Sequence, residues 1–299
     1  MIKVGIDLGS NTLRVVAIEC ESGTKVAKYE KIVSTAKMLH SKGIIGKDAI
    51  NRVVEALKEA KDIIDMGEYK AVTTEAMRRA SNSVEALFEI YKQSGVKFEV
   101  IDGDTEANLT LLAVKSSLAK EGFDSKSFVL VDIGGGSTEL VLSYQNRVVS
   151  KSFPVGIVTM THKYNSLDRL KSGIKEEMNQ IDKFYKDCIS KYGDVDMFVA
   201  TAGTPTTIAA LKHGLDYYTY DADIVNGTKL NKDELYYHLD RLLSLSQEKQ
   251  ERLVGVGRAD LIVSGIVIFA KLFDIVGKDS VIVIDDGLRE GVALMLCSK

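Results

Sequence analysis

The 299-residue chain contains no tryptophan, only two prolines and only three cysteines. The cysteines Cys20, Cys188 and Cys297 are odd in number, lie far apart and include no CxxC pair. This usage disfavours a disulfide framework and a zinc site, and it predicts a reduced, cytoplasmic protein. The N-terminus MIKVGIDLGS has no signal-peptide pattern. The longest apolar run, residues 261–270, is shorter than the ~20 residues that span a bilayer, so we expect no membrane segment.

The chain also has little net excess of either positive or negative charge. The net charge is −3 and the isoelectric point is about 5.9, so the chain has no general basic field. We therefore expect neither nucleic acid nor an anionic membrane as a partner. With 45% hydrophobic and 27% charged residues, the composition is that of a globular protein, and the length allows two domains.

Two stretches share a pattern of strand, tight turn and strand: VGIDLGSNTLRVV at residues 4–16 and LVDIGGGSTELVL at residues 130–142. Each precedes a third strand and alternating helices and strands, so both halves fit a βββαβα pattern. The two stretches can be aligned with one extra residue in the second turn. This duplication predicts an α/β protein of two similar domains that face each other across a cleft. We place the domains at residues 1–122 and 123–299, with the boundary near residues 120–126, and the last helix could pack back on the first domain.

Both turns place a carboxylate beside small residues: Asp7 before residues 9–11, and Asp132 before residues 134–137. Successive N–H groups in a glycine turn form a concave anion site. A neighbouring carboxylate can hold a hydrated Mg²⁺ that bridges to phosphate oxygens. One glycine-rich hairpin is usually only a hairpin, but two copies at the same place in a duplicated pattern predict phosphate binding.

A third candidate anion site is TAGTPTT at residues 201–207. Gly203 and Thr204 precede a predicted helix whose first turn contains Pro205. Proline is favoured at that position, and the free N–H groups and the dipole of a helix start favour an anion there.

The paired turns resemble the phosphate loops of the actin/Hsp70/sugar-kinase superfamily. Further stretches resemble one branch of it, the exopolyphosphatase/guanosine pentaphosphatase (Ppx/GppA) family. These stretches are DLGSNTLR (7–14), AMRRASN (76–82), VIDGDTEANL (100–109), DIGGGSTEL (132–140), FPVG (153–156), TAGTPTT (201–207), RADLIVSG (258–265) and DDGLREG (285–291). The resemblance implies two actin-like (ribonuclease H-like) domains. Longer members append a helical region of the HD phosphohydrolase type, so we expect a short two-domain form.

Members of that family cleave the terminal phosphoanhydride of polyphosphate or of pppGpp with water, using Mg²⁺. The resemblance therefore implies a hydrolase that releases orthophosphate from inorganic polyphosphate. The alternatives are a pppGpp 5′-phosphohydrolase that uses the same site, a sugar or acid kinase of the same superfamily, and a non-catalytic sensor of polyphosphate or nucleotide. A homodimer is one possible assembly.

The resemblance also implies the catalytic base. The family's (S)G-x-E-E-A-R stretch corresponds to residues 103–108 here, which places Glu106 at the base position. Thr105 and Asn108 depart from the family's glutamate and arginine, which puts in doubt any anion contact made by that arginine. Without the resemblance, a glutamate in the first turn of a helix would be expected only to complement the helix dipole.

The remaining implied roles fall on charged, small and hydroxyl residues of the matching motifs. The implied metal carboxylates are Asp7, Asp132 and Glu139, of which Glu139 also has a catalytic role. The implied phosphate contacts are Ser10, Asn11, Arg14, Arg78, Gly135, Gly136, Ser137, Gly203 and Thr204. Arg78 could instead be a solvated charge on a helix.

Overall fold

A computed structural model describes residues 1–124 and 126–298, without the side chain of His40. Residue 125, inside the predicted boundary segment, and Lys299, the predicted end of the second domain, lie outside the described residues. The strands are β1 (Ile2–Leu8), β2 (Thr12–Glu19), β3 (Thr24–Ile32), β4 (Glu68–Thr73), β5 (Phe98–Val100), β6 (Phe128–Ile133), β7 (Thr138–Tyr144), β8 (Arg147–Phe153), β9 (Met197–Thr201), β10 (Thr228–Leu230) and β11 (Val281–Val283).

The helices follow and separate these strands, and a 3-10 turn (Thr35–Met38) precedes the first of them. They are α1 (Leu39–Lys42), α2 (Lys47–Ile63), α3 (Glu75–Arg79), α4 (Ser83–Ser94), α5 (Gly103–Lys120), α6 (Ile157–Tyr164), α7 (Leu167–Glu177), α8 (Asn179–Tyr192), α9 (Gly203–Lys212), α10 (Ala222–Val225), α11 (Lys232–Leu243), α12 (Gln247–Val254), α13 (Ala259–Val276) and α14 (Leu288–Cys297).

The chain divides into two compact units. Unit 1 comprises Met1–Ala113 and Asp286–Lys299, and unit 2 comprises Val114–Asp285. The first division falls inside α5, whereas the sequence prediction placed it after that helix. The C-terminal helix α14 belongs to unit 1, because its apolar face is buried there.

Unit 1 contains a five-stranded sheet in the order β3-β2-β1-β4-β5. The first three strands are antiparallel neighbours, and β4 and β5 run parallel to β1. Helix α2 has the amphipathic pattern that the sequence predicts, since Ile50, Val53, Val54, Leu57 and Ala60 are all buried. Burying one such side chain contributes roughly 1.5–3 kcal/mol, so this face is sufficient reason for the helix to pack where it does.

Helix α14 packs on β1 at a position where only glycine fits. A Cβ atom added to Gly5 would lie 2.0 Å from the carbonyl oxygen of Arg289, in the first turn of α14. Leu288 and Val292 of the same helix join a buried cluster with Leu109 of α5. The absence of a side chain at Gly5 thus allows the last helix to lie directly against the first strand.

The expectation that the cysteines remain reduced is wrong for two of them. Cys20, directly after β2, and Cys297, the last residue of α14, form a disulfide with their Cα atoms 5.2 Å apart. They are 277 positions apart in sequence, and only the fold shows that they meet. Cys188 is buried and remains a free thiol. Because of this disulfide, the cysteine pattern no longer supports the prediction of a reduced compartment.

Unit 2 contains a six-stranded sheet in the order β10-β11-β9-β6-β7-β8. With β6, β7 and β8 in place of β1, β2 and β3, five of its strands follow the order of unit 1, and β10 is an addition at one edge. The duplication inferred from the sequence is therefore present in the strand order, whereas the short strand β10 was not predicted.

Helix α13 supplies much of the core of unit 2. Its residues 266–270 are buried, and Phe269 and Phe273 pack edge-on or tilted against each other and against Phe198 of β9. Such aromatic contacts add to the free energy gained from burial alone. The long apolar stretch of α13 is thus explained by a buried protein core. Among residues 1–124 and 126–298, no helix is both long and apolar enough to cross a membrane.

Candidate active site

The glycine turn of unit 2 closes the hairpin of β6 and β7. These strands are antiparallel, and their register places Asp132 directly opposite Glu139. A hydrogen bond from the N–H of Gly134 to the carbonyl of Ser137, at 2.9 Å, closes the turn. Directly opposed side chains lie on one face of a sheet with their Cβ atoms about 4.5–5.5 Å apart. Two of the three carboxylates implied as metal ligands therefore lie side by side.

Glu139 is almost fully buried, with 1% of its surface exposed, whereas Asp132 is partly exposed. The hydroxyl of Ser152 donates a hydrogen bond to Glu139 Oε1 at 2.7 Å. Two carboxylates in direct opposition repel each other, and burial of one of them adds to the cost of keeping both ionised. A cation beside the pair would offset both costs.

The carboxylate pair fits a magnesium ion. In phosphoryl-transfer sites Mg²⁺ usually takes one or two protein carboxylates and completes its shell with water and substrate oxygens. Asp132 and Glu139 supply that number of ligands. Within the described part of the chain, no cluster of three or more His, Cys, Asp or Glu residues is suited to a metal, so a cage made only of protein ligands is not found there.

The first hairpin, of β1 and β2, has the same geometry with a different charge. Asp7 is directly opposite Arg14, and a hydrogen bond from Gly9 N–H to the Thr12 carbonyl at 3.0 Å closes the turn. Eight residues run from Asp7 to Arg14, as from Asp132 to Glu139. The extra residue predicted in the second turn is therefore wrong, because the pairing registers make the two turns equal in length.

The carbonyl groups of the first turn are all bound by the segment that follows β3. The N–H groups of Val33 and Ser34 both donate to the Asn11 carbonyl at 2.8 Å, and residue 36 donates from its N–H to the Ser10 carbonyl at 2.8 Å. The hydroxyl of Thr35 donates to the Gly9 carbonyl at 3.0 Å. The turn is thus fixed from its carbonyl side.

The second turn is fixed in the same way by the start of α6. The N–H of Ile157 donates to the Gly134 carbonyl at 3.0 Å, and that of Val158 donates to the Gly135 carbonyl at 2.8 Å. A Cβ atom added to Gly156 would lie 2.5 Å from the Gly135 carbonyl oxygen. The glycine of FPVG is therefore required for the close approach of this segment to the turn.

The amide groups at the tips of both turns have no competing acceptor in the described part of the chain. No acceptor among residues 1–124 and 126–298 binds the N–H groups of Ser10 and Asn11 in the first turn, or of Gly135 and Gly136 in the second. Rigid turns with unbound N–H groups are the usual protein sites for phosphate oxygens. The local geometry is thus compatible with the phosphate contacts implied for these four residues.

Glu106 lies in the first turn of α5 and is 8% exposed. Asp102 precedes the helix and accepts a hydrogen bond from the N–H of Thr105 at 2.8 Å. The hydroxyl and the N–H of Thr105 both lower the pKa of Asp102, since they stabilise its ionised form. Thr105, which departs from the family motif, therefore acts in capping the helix, and Asn108 is exposed.

Arg78 of α3 binds the predicted base directly. Its Nη1 donates to Glu106 Oε2 at 2.9 Å and to the Ile101 carbonyl at 2.7 Å. Its Nη2 donates to Glu75 Oε2 at 3.1 Å. Burial alone would lower the pKa of Arg78, but the carboxylates of Glu106 and Glu75 outweigh burial and raise it. Arg78 is therefore not a solvated helix charge.

Arg14 lies in a second ionic group within unit 1. Its Nε donates to Glu30 Oε2 at 3.2 Å, and Arg289 Nη1 donates to the same oxygen at 3.4 Å. Arg289 also pairs with Glu290 in the first turn of α14. The two arginines implied as phosphate contacts thus each hold carboxylates of their own unit.

The third candidate loop begins α9 in unit 2. Ala202 has a φ of +73°, which is strained for a residue with a side chain. The Thr204 side chain is fully buried against Gly265 of α13, and its hydroxyl has no hydrogen-bond partner in the described part of the chain. An anion here would therefore contact the backbone N–H groups of Gly203 and Thr204. Thr207 lies near the start of the same helix, and Arg258 Nη2 donates to its Oγ1 at 3.4 Å.

Sequence reasoning missed Glu75, Glu30 and Arg289. A signal existed for Glu75, because it precedes Arg78 by three residues, a spacing that pairs acid and base on a helix. Glu30 and Arg289 are 259 positions apart, and no periodic pattern connects them.

A model of the Ppx/GppA phosphatase family matches residues 15–299. The chain is 26% identical to a bifunctional 3-dehydroquinate synthase/phosphatase of Fusobacterium nucleatum, with 98% of this chain but only 46% of that protein covered. It is 25% identical to exopolyphosphatase 2 of Mycobacterium tuberculosis, with 97% of each protein covered. The chain thus spans less than half of the first relative and nearly all of the second.

Two solved structures are similar over the whole chain. An Aquifex aeolicus member of the Ppx/GppA family is 32% identical, with 100% of this chain and 97% of that chain covered and a TM-score of 0.72. An exopolyphosphatase from Cytophaga hutchinsonii is 21% identical, with 100% and 98% covered and a TM-score of 0.86; at that identity the likeness shows the fold alone. The predicted α/β fold of two similar actin-like domains is confirmed.

Proposed function

The chain belongs to the Ppx/GppA phosphatase family, and from this premise we propose that it is a Mg²⁺-dependent hydrolase that releases terminal orthophosphate from inorganic polyphosphate. The observation that carries the proposal is the pair of carboxylates, Asp132 and Glu139, opposed across a glycine turn. Phosphoryl transfer depends on positioning and on neutralising the charge of the phosphate oxygens. A metal-binding carboxylate pair beside free N–H groups is suited to that task.

In unit 2, Asp132 and Glu139 would hold Mg²⁺, and the N–H groups of Gly135 and Gly136 would bind oxygens of the substrate. Mg²⁺ would supply charge neutralisation and orientation of the phosphate. Ser137, the last residue of the turn, is the implied hydroxyl contact. In unit 1 the N–H groups of the first turn would bind phosphate oxygens in the same manner.

Glu106 would act as the general base. Its carboxylate would accept a proton from water as the water oxygen forms a bond to the terminal phosphorus. The bond from that phosphorus to the bridging oxygen breaks, so that one orthophosphate leaves and the remaining chain is one unit shorter. The similarity to a relative that is itself an exopolyphosphatase supports polyphosphate over pppGpp as the first choice of substrate.

The proposal is tested by measuring phosphate release from long polyphosphate, short polyphosphate, pppGpp and ATP, each with Mg²⁺ and with EDTA. We expect release from polyphosphate that EDTA abolishes. We also expect Glu106→Gln to lower kcat by about 10²-fold or more with KM nearly unchanged, because the base acts in the transition state. Glu55→Gln, an exposed position on α2, is the matched control.

Each contrary result has a distinct meaning. Faster release from pppGpp than from any polyphosphate would reassign the substrate but keep the chemistry. Sugar-dependent ADP formation without phosphate release would overturn the proposal in favour of a kinase. Wild-type turnover by Glu106→Gln would remove that residue from the mechanism.

A further inference from the structure

Arg78 is surrounded by acceptors on three sides. Its Nη1 donates to Glu106 Oε2 and to the Ile101 carbonyl, while its Nε and Nη2 donate to Glu75 Oε2 at 3.3 and 3.1 Å. A guanidinium group is planar, so a contact that fixes its Nε–Nη2 edge also fixes the direction in which Nη1 points. Glu75 therefore holds one edge of the group while Nη1 is directed at Glu106.

These groups lie in a sheltered environment. The exposed fractions of the side chains are 16% for Glu75, 19% for Arg78 and 11% for Glu106. Ion pairs in such surroundings are stronger and more directional than pairs on an open surface. Arg79 reaches the other oxygen of Glu75 at 3.7 Å, so the charges alternate along the group from Arg79 to Glu106.

We propose that Glu75 is a positioning residue, which acts through Arg78 to hold the carboxylate of Glu106 in its working orientation. In this arrangement Arg78 orients the base Glu106. Loss of the Glu75–Arg78 pair should therefore lower kcat more than it changes the affinity for substrate. The inference rests on the proposed role of Glu106 as general base. It differs from the sequence expectation, which gave Arg78 a direct contact with phosphate.

The geometry favours this assignment over a direct phosphate contact. Each of the contacts at Nε, Nη1 and Nη2 is made to a protein oxygen within 3.3 Å. These contacts use four of the five N–H donors of the guanidinium, so a bidentate phosphate contact would require it to move away from carboxylates that are themselves largely buried. Releasing a partly buried carboxylate from its partner is costly.

The first test is a double-mutant cycle on phosphate release from polyphosphate with Mg²⁺. We expect Glu75→Ala to lower kcat by about 10-fold with KM within about 2-fold of wild type. Glu75→Gln keeps an oxygen that can accept from Arg78, so it should recover part of that activity. Glu85→Ala, an exposed glutamate in the first turn of α4, is the matched control and should retain full turnover.

The decisive step of the cycle is Glu75→Ala in the Glu106→Gln background. If Glu75 acts through Glu106, the second substitution should change kcat by less than about 2-fold, because the base that it supports is already absent. An undiminished 10-fold decrease in that background would overturn the inference, as would a Glu75→Ala effect confined to KM.

A second measurement does not depend on turnover. Arg78 Nη1 donates to Glu106 Oε2 at 2.9 Å in the wild-type protein, and a crystal structure of Glu75→Ala should show the guanidinium turned away from that oxygen. If the hydrogen bond is still present in the variant, the inference fails whatever the substrate. If the hydrogen bond is broken but polyphosphate, pppGpp and ATP all release no phosphate, Glu75 still positions Arg78 and the proposed function is what fails.

Discussion

The two hairpins of this protein have the same backbone and different chemistry. Each has eight residues from its aspartate to the opposed residue, and each has its turn closed by one hydrogen bond. The opposed residue is Arg14 in the first hairpin and Glu139 in the second. The first pair joins side chains of opposite charge type and the second joins two carboxylates, so the second hairpin is the one that we propose to hold a cation. In the function that we propose, this one position distinguishes the turn that binds phosphate alone from the turn that also binds Mg²⁺.

The units that carry these hairpins are also stabilised differently. In unit 1 the disulfide between Cys20 and Cys297 joins the end of β2 to the end of α14. In unit 2 the buried core includes the side chain of His238 on α11, only 4% exposed. Stability in unit 1 should thus respond to reductant, and stability in unit 2 should respond to pH.

The largest expected effect comes from removing the disulfide. Cys297→Ser should lower the free energy of unfolding by about 2–4 kcal/mol, because the cross-link restricts the unfolded chain. Calorimetry should show a lower transition temperature for Cys297→Ser and for wild type with dithiothreitol. Dithiothreitol should change nothing further in Cys297→Ser, which is the control. Cys297→Ser and reduced wild type should need the same Mg²⁺ concentration for activity as oxidised wild type. A higher Mg²⁺ requirement would show that the disulfide of unit 1 affects the proposed metal site of unit 2.

The second effect concerns the carboxylate pair. Asp132→Asn and Glu139→Gln should each raise the Mg²⁺ concentration for half-maximal activity by about 10–100-fold, since each removes an oxygen ligand or the partner of a ligating water. Asp7→Asn is the matched substitution in the first hairpin. We expect a smaller rise for it, because Asp7 is opposed to Arg14.

Metal titrations of phosphate release measure all three variants. Equal shifts for the two hairpins would contradict a difference in metal binding between them and make Asp7 a metal ligand of the same importance. Curves that all overlay the wild type would make the carboxylates structural.

The sequence was informative where structure depends on neighbouring residues. The apolar spacing of α2 and the turns beside Asp7 and Asp132 are local patterns, and the fold they predict is confirmed. The disulfide and the Glu30–Arg289 contact could not be predicted, because each joins residues more than 250 positions apart. The hydrogen bond from Thr105 to Asp102 was not predicted, because the family motif describes Thr105 only as the replacement of a glutamate.

The smallest expected effect tests unit 2 through His238. Burial, with a smaller contribution from the charge of Arg241, lowers the pKa of His238 below its ordinary value of 6.5. Its Nδ1 has no hydrogen-bond partner among residues 1–124 and 126–298. Because the folded state resists protonation, stability is full above pH 6.5 and falls as pH drops from there towards the lowered pKa. The slope is at most about 1.4 kcal/mol per pH unit.

His238→Gln removes this titration, so its unfolding free energy should vary less between pH 7 and pH 5.5 than that of wild type. Urea unfolding at several pH values, followed by circular dichroism, measures the difference. His213→Gln, an exposed position in the same unit, is the matched control and should keep the wild-type slope. If His238→Gln keeps that slope as well, the acid sensitivity of unit 2 arises from other groups. If acid shifts the disulfide-dependent transition instead, the two units do not lose stability by separate causes.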